Sequence, residues 1–551
     1  MNLLEFYIIN SYNKILEDTM KKIIILISIF LFIVGCEEEK ADIIAPCNPN
    51  PCKENNKTIC NSVNNKAECS CIDGFTENDS KECIKDIVDP CKDINCSNSG
   101  ECIEKDGVAQ CICNYTHLSW EKDCIEKIEF FNRAKSQESE EMLQYFWKNY
   151  DGPIRNSENI LFVTRSEESE VLKVAGTFNG WQMDILDTLF NETFRYKILE
   201  NSNNDTIYYK YVGNDWYSDP NNIYFDFNEY ENSIIYPLNS SRLAKIIVPY
   251  IELNNNDRII YLYLPSLYFT SNERFPVLYM QDGDNILSNN PAATFGTWDV
   301  DINMDEAISE NLSKPVIIVG ITTRNREDEY MHIHLDELNN TPKLDEYTDY
   351  LIDTLIPHID DNFRTLSNKE SRAIAGSSLG GISSFFIAWK NPEIFSKAGV
   401  FSPSSWIGEI EESDPATIES IRDLINSTDT MPNIKFYIDS GDTNFDETSS
   451  YYADSRGYTE YVRNLLIRNG WDSRDEWLDN GDIIDYPSDV DISLVPTIYW
   501  NNTTPSGYSD YYDYLKPQNN LLHLVGAGQM HNEPSWNKRF KASIIFLFPK
   551  N

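Results

Sequence analysis

Residues 372–386 read RAIAGSSLGGISSFF. Small and apolar Ala373, Ile374 and Ala375 lead into Gly376-Ser377-Ser378-Leu379-Gly380-Gly381, and an apolar helix face follows to Phe386. This is the pattern of a nucleophile elbow, in which a strand enters a sharp turn with serine at its apex and leaves as a helix. Glycine at 376 and 380 lets the backbone pass close to itself while Ser378 takes a strained conformation that exposes its hydroxyl. Ser378 is therefore the candidate nucleophile.

The sequence around the elbow alternates between two kinds of segment. Strand candidates are 258–264, 276–280, 315–321, 372–375, 398–401, 434–438 and 521–525, and helical stretches intervene, notably 345–363 and 458–468. Such alternation predicts a mostly parallel sheet over residues 241–551, covered by helices on both faces. Chemistry in these sheets gathers at the carboxyl ends of the strands. A nucleophilic serine needs a base, an orienting acid and an oxyanion hole. In folds built on this elbow the acid and then the histidine follow the serine. The chain has six histidines, and only His523 and His531 come after Ser378. His523 lies inside the apolar run Leu521–Val525 and reads as a core residue, whereas His531 follows that run across Gly526-Ala527-Gly528, so His531 is the expected general base. The acid is expected in the loop 440–447, where Asp442 and Asp446 compete and Asp442 is preferred. One oxyanion-hole amide is that of Leu379, at a helix N-terminus that favours negative charge. His332-Ile333-His334 has no carboxylate cluster or cysteine near it in sequence, so neither a metal nor another cofactor is expected. Residues 470–518, rich in Asp, Tyr, Asn and Trp, form a long insertion before His531, and its aromatics Trp471, Trp477, Tyr499 and Trp500 either wall a substrate or serve plain packing.

Four segments recur in order: YMQDGDN at 279–285, the stretch from Val319-Gly320-Ile321 through Arg326-Glu327-Asp328-Glu329-Tyr330, the elbow, and Gly526 to Trp536 with His531-Asn532-Glu533. Together they resemble the esterase D-type family of α/β-hydrolases, which includes enterochelin esterases, feruloyl esterases and mycolyltransferases. The resemblance implies an α/β-hydrolase domain that cleaves a carboxylic ester through an acyl-enzyme, the ester being a siderophore, a feruloyl or acetyl sugar, or similar. It also implies a second oxyanion donor in the 279–285 loop, the amide of Asp284 or Asn285. Family members carry the acid three residues after the glycine, and this chain has Asn444 there, so the resemblance does not itself assign the acid. Transfer of the acyl group to a sugar uses the same residues, and a surface-binding protein with an inactive hydrolase fold is the rival from another class.

Residues 156–240 change period. Runs at 160–164, 171–174, 193–198 and 207–212 are short strands between Asn, Asp and Gly turns, as in a β-sandwich. Val174 to Trp181 (VAGTFNGW) and Tyr208 to Pro220 (YYKYVGNDWYSDP) resemble the early-set module found ahead of isoamylases and in glycogen-binding subunits. In its sugar-binding members the positions of Trp181, Lys210, Trp216 and Asn232 hold a glycan, and aromatic faces suit sugar rings. The same module packs without sugar in other esterases.

All 13 cysteines stand at or before Cys124. Cys47, Cys52, Cys60, Cys69, Cys71 and Cys83 form one group, and Cys91, Cys96, Cys102, Cys111, Cys113 and Cys124 repeat its spacing. Six cysteines with one residue between the fourth and fifth resemble EGF-like modules, here at 47–83 and 91–124. The resemblance implies the pairs Cys47–Cys60, Cys52–Cys69, Cys71–Cys83, Cys91–Cys102, Cys96–Cys111 and Cys113–Cys124. Modules this short depend on such bridges, because so few residues cannot bury a sufficient core. The second copy departs from the family at Asn114-Tyr115. A spacer role is favoured for the pair over an adhesive one, and residues 125–155 read as a helical linker with Met142, Leu143, Phe146 and Trp147 at helical spacing.

At the N-terminus, Met20-Lys21-Lys22 precedes the apolar run 23–34 and Gly35-Cys36. A basic start, a short apolar core and a small residue before the cut make an export signal, and Ile33-Val34-Gly35-Cys36 resembles a bacterial lipobox. The expectation is a signal region over 1–36 with translation starting at Met20, a lipid on Cys36 (palmitate among its chains), a tether over 37–46 and a place in the cell envelope. A net charge of −42, from 88 acidic and 46 basic residues, excludes the basic surface that nucleic-acid binding requires. The expected chain is thus multidomain: disulfide-rich modules, a β-sandwich and an α/β-hydrolase. Its expected partners are an ester and a membrane; a glycan stays open beside the reading in which the module packs without sugar.

Overall fold

The structure is a computed structural model. It describes residues 46–470 and 520–550 apart from 48–49, 54–55, 65, 74, 79, 86–88, 106, 167–170, 191–192, 225–226, 228–229, 251–256, 409–418, 445–452 and 527, together with the backbone of 499–500. Cys36, Asp446, Trp471 and Trp477 lie outside the described residues. Two compact units divide the chain, Met1–Asp89 and Pro90–Asn551. Among the described residues no helix is long and apolar enough to cross a membrane.

In the first unit Cys47–Cys60, Cys52–Cys69 and Cys71–Cys83 are disulfides, and two small antiparallel hairpins join Ile59–Val63 to Lys66–Ser70 and Phe75–Glu77 to Cys83–Lys85. The second unit opens with the same plan, closed by Cys91–Cys102, Cys96–Cys111 and Cys113–Cys124. The second cysteine module is not held by its tether alone. Tyr115 donates to Asp151 at 2.8 Å, Lys127 pairs with the same carboxylate at 3.3 Å, and the Tyr115 ring meets Phe269 edge-on at 5.0 Å. Departure from the family turn at Asn114-Tyr115 thus provides an aromatic that seats the module on the body of its unit.

The linker forms two short helices, α1 (Lys127–Ser136) and α2 (Glu140–Lys148), the second capped by Ser139, which accepts from the Met142 amide. Capping satisfies a donor that the first turn leaves unpaired. Their apolar faces, including Phe130, Phe131, Leu143 and Phe146, pack on Leu161 and Val163 of the next element. That element is a pair of antiparallel sheets. One contains β1 (Asn159–Arg165) and β3 (Phe194–Glu200); the other contains β2 (Lys173–Gly176) and β4 (Ile207–Val212). Period-two alternation sends Ile160 and Phe162 of β1 toward Val174, Tyr209 and Tyr211 of the facing sheet, and Leu161 and Val163 toward the helices.

The largest element is a nine-stranded mixed sheet. Its strands are β5 (Arg242–Val248), β6 (Arg258–Leu264), β7 (Val277–Met280), β8 (Ile317–Ile321), β9 (Arg372–Ser377), β10 (Lys397–Phe401), β11 (Lys435–Gly441), β12 (Tyr499–Trp500) and β13 (Leu521–Gly526), in the spatial order β5-β6-β8-β7-β9-β10-β11-β13-β12. β5 with β6 and β6 with β8 are antiparallel; every other adjacent pair is parallel. The central strands are buried on both sides and read as near-continuous apolar runs for that reason. One face is covered by the helical run 344–362, α5 (Leu379–Lys390) and α6 (Arg456–Arg468). The other is covered by α3 (Val300–Ser309) and α7 (Glu533–Leu547). A short helix, α4 (Arg326–Glu329), follows β8. The ends of β7, β9, β11 and β13 all discharge their loops at one edge, and the candidate residues lie on those loops.

Candidate active site

Ser378 sits between β9 and α5 with φ 57° and ψ −121°, a conformation that a residue with a side chain adopts only under constraint. The constraint is local. A Cβ on Gly376 would lie 2.5 Å from the Gly380 carbonyl oxygen, so the strand and the helix can approach only through glycine. The Ser378 amide donates to Phe401 O at 3.0 Å, and its carbonyl accepts from the amides of Ser404, Gly381 and Ile382. Its hydroxyl is hydrogen-bonded to Ser404 Oγ at 3.3 Å. Among the described residues neither the Leu379 amide nor that of Asp284 has a hydrogen-bond partner. The amide of Asn285, the other expected donor, is spent on Asp282 O at 2.9 Å because the loop closes into a turn.

His531 lies on the loop between β13 and α7, its side chain 29% exposed and its ring edge-on to Trp536 at 5.1 Å. Its Nδ1 donates to Asp454 Oδ1 at 2.6 Å. The expected partner, Asp442, does not reach the imidazole. Asp442 Oδ1 accepts from the Gly528 amide at 2.7 Å and its own amide donates to Gln529 O at 3.1 Å, so this side chain shapes the loop on which His531 rides. Its position explains the miss: directly after β11, the amides of Asp442 and Thr443 both donate to Gln529 O, and the carboxylate that meets the imidazole is that of Asp454.

Asp454 is fully buried and takes φ 52° just before α6. Its second oxygen accepts from Ser402 Oγ at 2.7 Å and from the Gly441 amide, with Arg539 at 3.5 Å. Ser402 Oγ in turn accepts from Trp536 Nε1 at 3.0 Å and from Arg539 at 2.8 Å. Arg539, itself fully buried, also donates to Asp439 at 2.9 Å and to Gln529 at 3.0 Å. A buried carboxylate so supplied with donors stays in one orientation, and half-satisfied it would be costly. Burial raises the Asp439 carboxyl to about 6, opposed by Arg539. Sequence reasoning missed Asp454 because it lies 13 residues beyond Gly441; its only local signal is an acid placed just ahead of an amphipathic helix.

Three of the other five histidines stand in distinct surroundings. His523 is buried in β13, where burial and then Arg463 and Arg456 depress its pKa well below the usual range, and its Nε2 has no partner among the described residues. His332 stacks on Phe386 and hydrogen-bonds Glu419 O, while His334 engages Asn340 O and Asp336. Among the described residues the one group of His, Cys, Asp or Glu tight enough for an ion is Cys96, Cys111 and Cys124, and all three are in disulfides.

A second concavity lies on the paired sheets. Trp181, Lys210, Trp216, Tyr230 and Asn232 line a cleft of about 460 Å³. The turn GTFNGW builds it: Asn179 accepts from the Gly176 amide and donates to Asp184, and the Trp181 amide donates to Gly176 O at 2.8 Å. The Trp181 and Trp216 rings stand 6.2 Å apart, 38% and 44% exposed. Tyr230 was not among the expected residues, and nothing in its sequence setting marks it.

A strained serine on a strand-to-helix turn, and an imidazole held by a buried carboxylate on a loop leaving the same sheet edge, are parts that can serve acyl transfer. Residues 252–494 match the family model described as "Putative esterase". Among curated proteins, YbbA of Bacillus subtilis is 29% identical over 165 residues, 28% of this chain and 60% of that protein. An endo-1,4-beta-xylanase/feruloyl esterase of Xylanibacter ruminicola is 32% identical over 149 residues, 27% of this chain and 19% of that protein. The chain therefore spans three fifths or less of these relatives. Similar solved structures include a ferulic acid esterase (17% identity, 56% of this chain and 98% of that one, TM-score 0.35) and the enterobactin esterase of Shigella flexneri (13%, 73% and 97%, 0.36).

Proposed function

We propose that residues 241–551 form a serine carboxylic-ester hydrolase of the α/β-hydrolase fold. Ser378 is the nucleophile, His531 the general base and Asp454 the orienting acid. The bond between Asp454 and His531 Nδ1 carries this reading, because it fixes the tautomer that leaves Nε2 free to accept a proton. On substrate binding the Ser378 hydroxyl turns from Ser404 toward His531, gives it the proton and attacks the ester carbonyl. The oxyanion is met by the amides of Leu379 and Asp284. The leaving alkoxide takes the proton from His531, and water then resolves the acyl-enzyme with the same imidazole as base. Similarity to a feruloyl esterase supports a hydroxycinnamoyl or comparable ester on a sugar as substrate. A fluorophosphonate probe and a short-chain nitrophenyl ester, applied to the full chain, test the reading. Wild type is expected to be labelled and to turn over, and Ser378→Ala and His531→Ala to lose both; an unlabelled, inactive wild type leaves only a binding protein.

The cleft of Trp181, Lys210, Trp216, Tyr230 and Asn232 favours a second role, glycan binding by an early-set module, since two exposed indoles flanked by an amine and an amide match the needs of a sugar ring. Trp181→Ala should abolish retention on an insoluble glycan without changing nitrophenyl ester turnover. Equal retention of variant and wild type would remove this role. The disulfides of the two EGF-like modules, at 47–83 and 91–124, support export to an oxidising envelope compartment, with Cys36 as the lipid anchor. Mass spectrometry of the membrane fraction checks the anchor directly.

A further inference from the structure

Helix α4 and the residue after it grip the loop that follows β7 at several points. Arg326 Nε donates to Asp282 Oδ1 at 2.8 Å and an Arg326 terminal nitrogen to Oδ2 at 3.0 Å. The same nitrogen reaches Ser377 O at 3.2 Å, the carbonyl just before the proposed nucleophile. Tyr330 Oη accepts from the Asp282 amide at 2.9 Å. Asp282 itself has φ 54°, and its carboxylate stands 3.1 Å from where a Cβ on Gly380 would be. One guanidinium therefore ties the loop carrying Asp284 to the elbow carrying Leu379.

We propose that Arg326 is a positioning residue that holds the two halves of the oxyanion hole in register, acting through Asp282. The inference rests on the esterase reading. Stabilisation of an oxyanion depends on donors already aimed when charge develops. A loop residue with positive φ does not keep that aim by itself. A planar fork orients the carboxylate through two parallel bonds and still reaches the neighbouring carbonyl, whereas an ammonium is a point charge with no such geometry. Lysine at this position should accordingly fail to replace arginine.

The test compares wild type, Arg326→Lys, Arg326→Ala and Asp282→Asn in the full chain, with kcat and KM on a nitrophenyl ester, inhibition by an arylboronic acid that forms a tetrahedral adduct on serine, and thermal unfolding. Both Arg326 variants are expected to lose about 10²-fold in kcat, the scale of one mis-set oxyanion donor, with KM nearly unchanged. Boronic acid affinity should fall in parallel, Asp282→Asn should shift in the same direction, and methylguanidinium should partly restore Arg326→Ala. If Arg326→Ala does not fold, Arg326→Lys and Asp282→Asn carry the test. A wild-type kcat in Arg326→Lys, or a rise in KM alone, overturns the clamp while leaving the esterase. Absence of any Ser378-dependent turnover in wild type sinks both.

Discussion

The elbow at 372–386 and the acid segment at 441–455 each deliver one side chain to the site from a residue with positive φ, Ser378 at 57° and Asp454 at 52°. They reach that state by different means. Around Ser378 the constraint is contiguous: glycine at 376 and 380 and the strand and helix on either side set the turn. Around Asp454 nearly every holding group is distant in sequence. Ser402, His531 and Arg539 come from three other stretches of the chain, and Gly441 stands 13 residues upstream at the end of β11. A locally encoded strain can be read from a motif, whereas a strain imposed by tertiary bonds leaves almost no mark on its own segment.

Three experiments break or sharpen this comparison. The largest effect is expected at the distant acid. Asp454→Asn should lower kcat by about 10³–10⁴-fold, as loss of the orienting carboxylate does in such triads, while Asp442→Asn, which keeps an acceptor for Gly528, should cost under about tenfold. Steady-state kinetics on one nitrophenyl ester decide it, and the reverse order would return the acid to Asp442. Next comes the elbow: Gly376→Ala drives a Cβ into the Gly380 carbonyl and should cost about 3 kcal/mol of stability, the upper part of the usual overpacking range, measured by denaturant unfolding. A stable variant would show that the turn relaxes. The smallest effect concerns Asp439. Its raised carboxyl means that the folded state holds the proton more tightly than the unfolded chain does. Its ionisation therefore destabilises the fold, and the associated stability is lost as pH rises from about 4, the ordinary carboxyl value, to about 6. Relative to Asp439→Asn, wild type should lose thermal midpoint over that window, and parallel curves would contradict the shift.

Legibility followed the range of the interactions. The seven strand candidates of the catalytic region all became strands, because burial on both faces requires apolar runs. The edge strand β5 was not singled out: Arg242 and Lys245 interrupt its apolar run, and most of its residues are only partly buried. Trp181, Lys210, Trp216 and Asn232 were named from one resemblance and line one cleft, but Tyr230 joins them only because β4 pairs with 216–217 and with 233–235 on either side of it in sequence. Tyr115 shows the same limit: in sequence it was a departure from a pattern, and in the structure it is the contact that seats the second cysteine module.

By itself the sequence determined what neighbours along the chain can enforce. That includes the elbow and its serine, the alternation that builds a sheet between helices, the repeated cysteine spacing, and the elimination that leaves His531. The tertiary structure decided what must be assembled from several elements: that Asp454 and not Asp442 meets the imidazole, that the Asn285 amide is spent within its turn, and that Arg326 reaches both sides of the elbow. The physical reason is that a backbone turn is paid for by adjacent residues, whereas a buried charge needs donors on every side, and no single stretch of chain can surround itself.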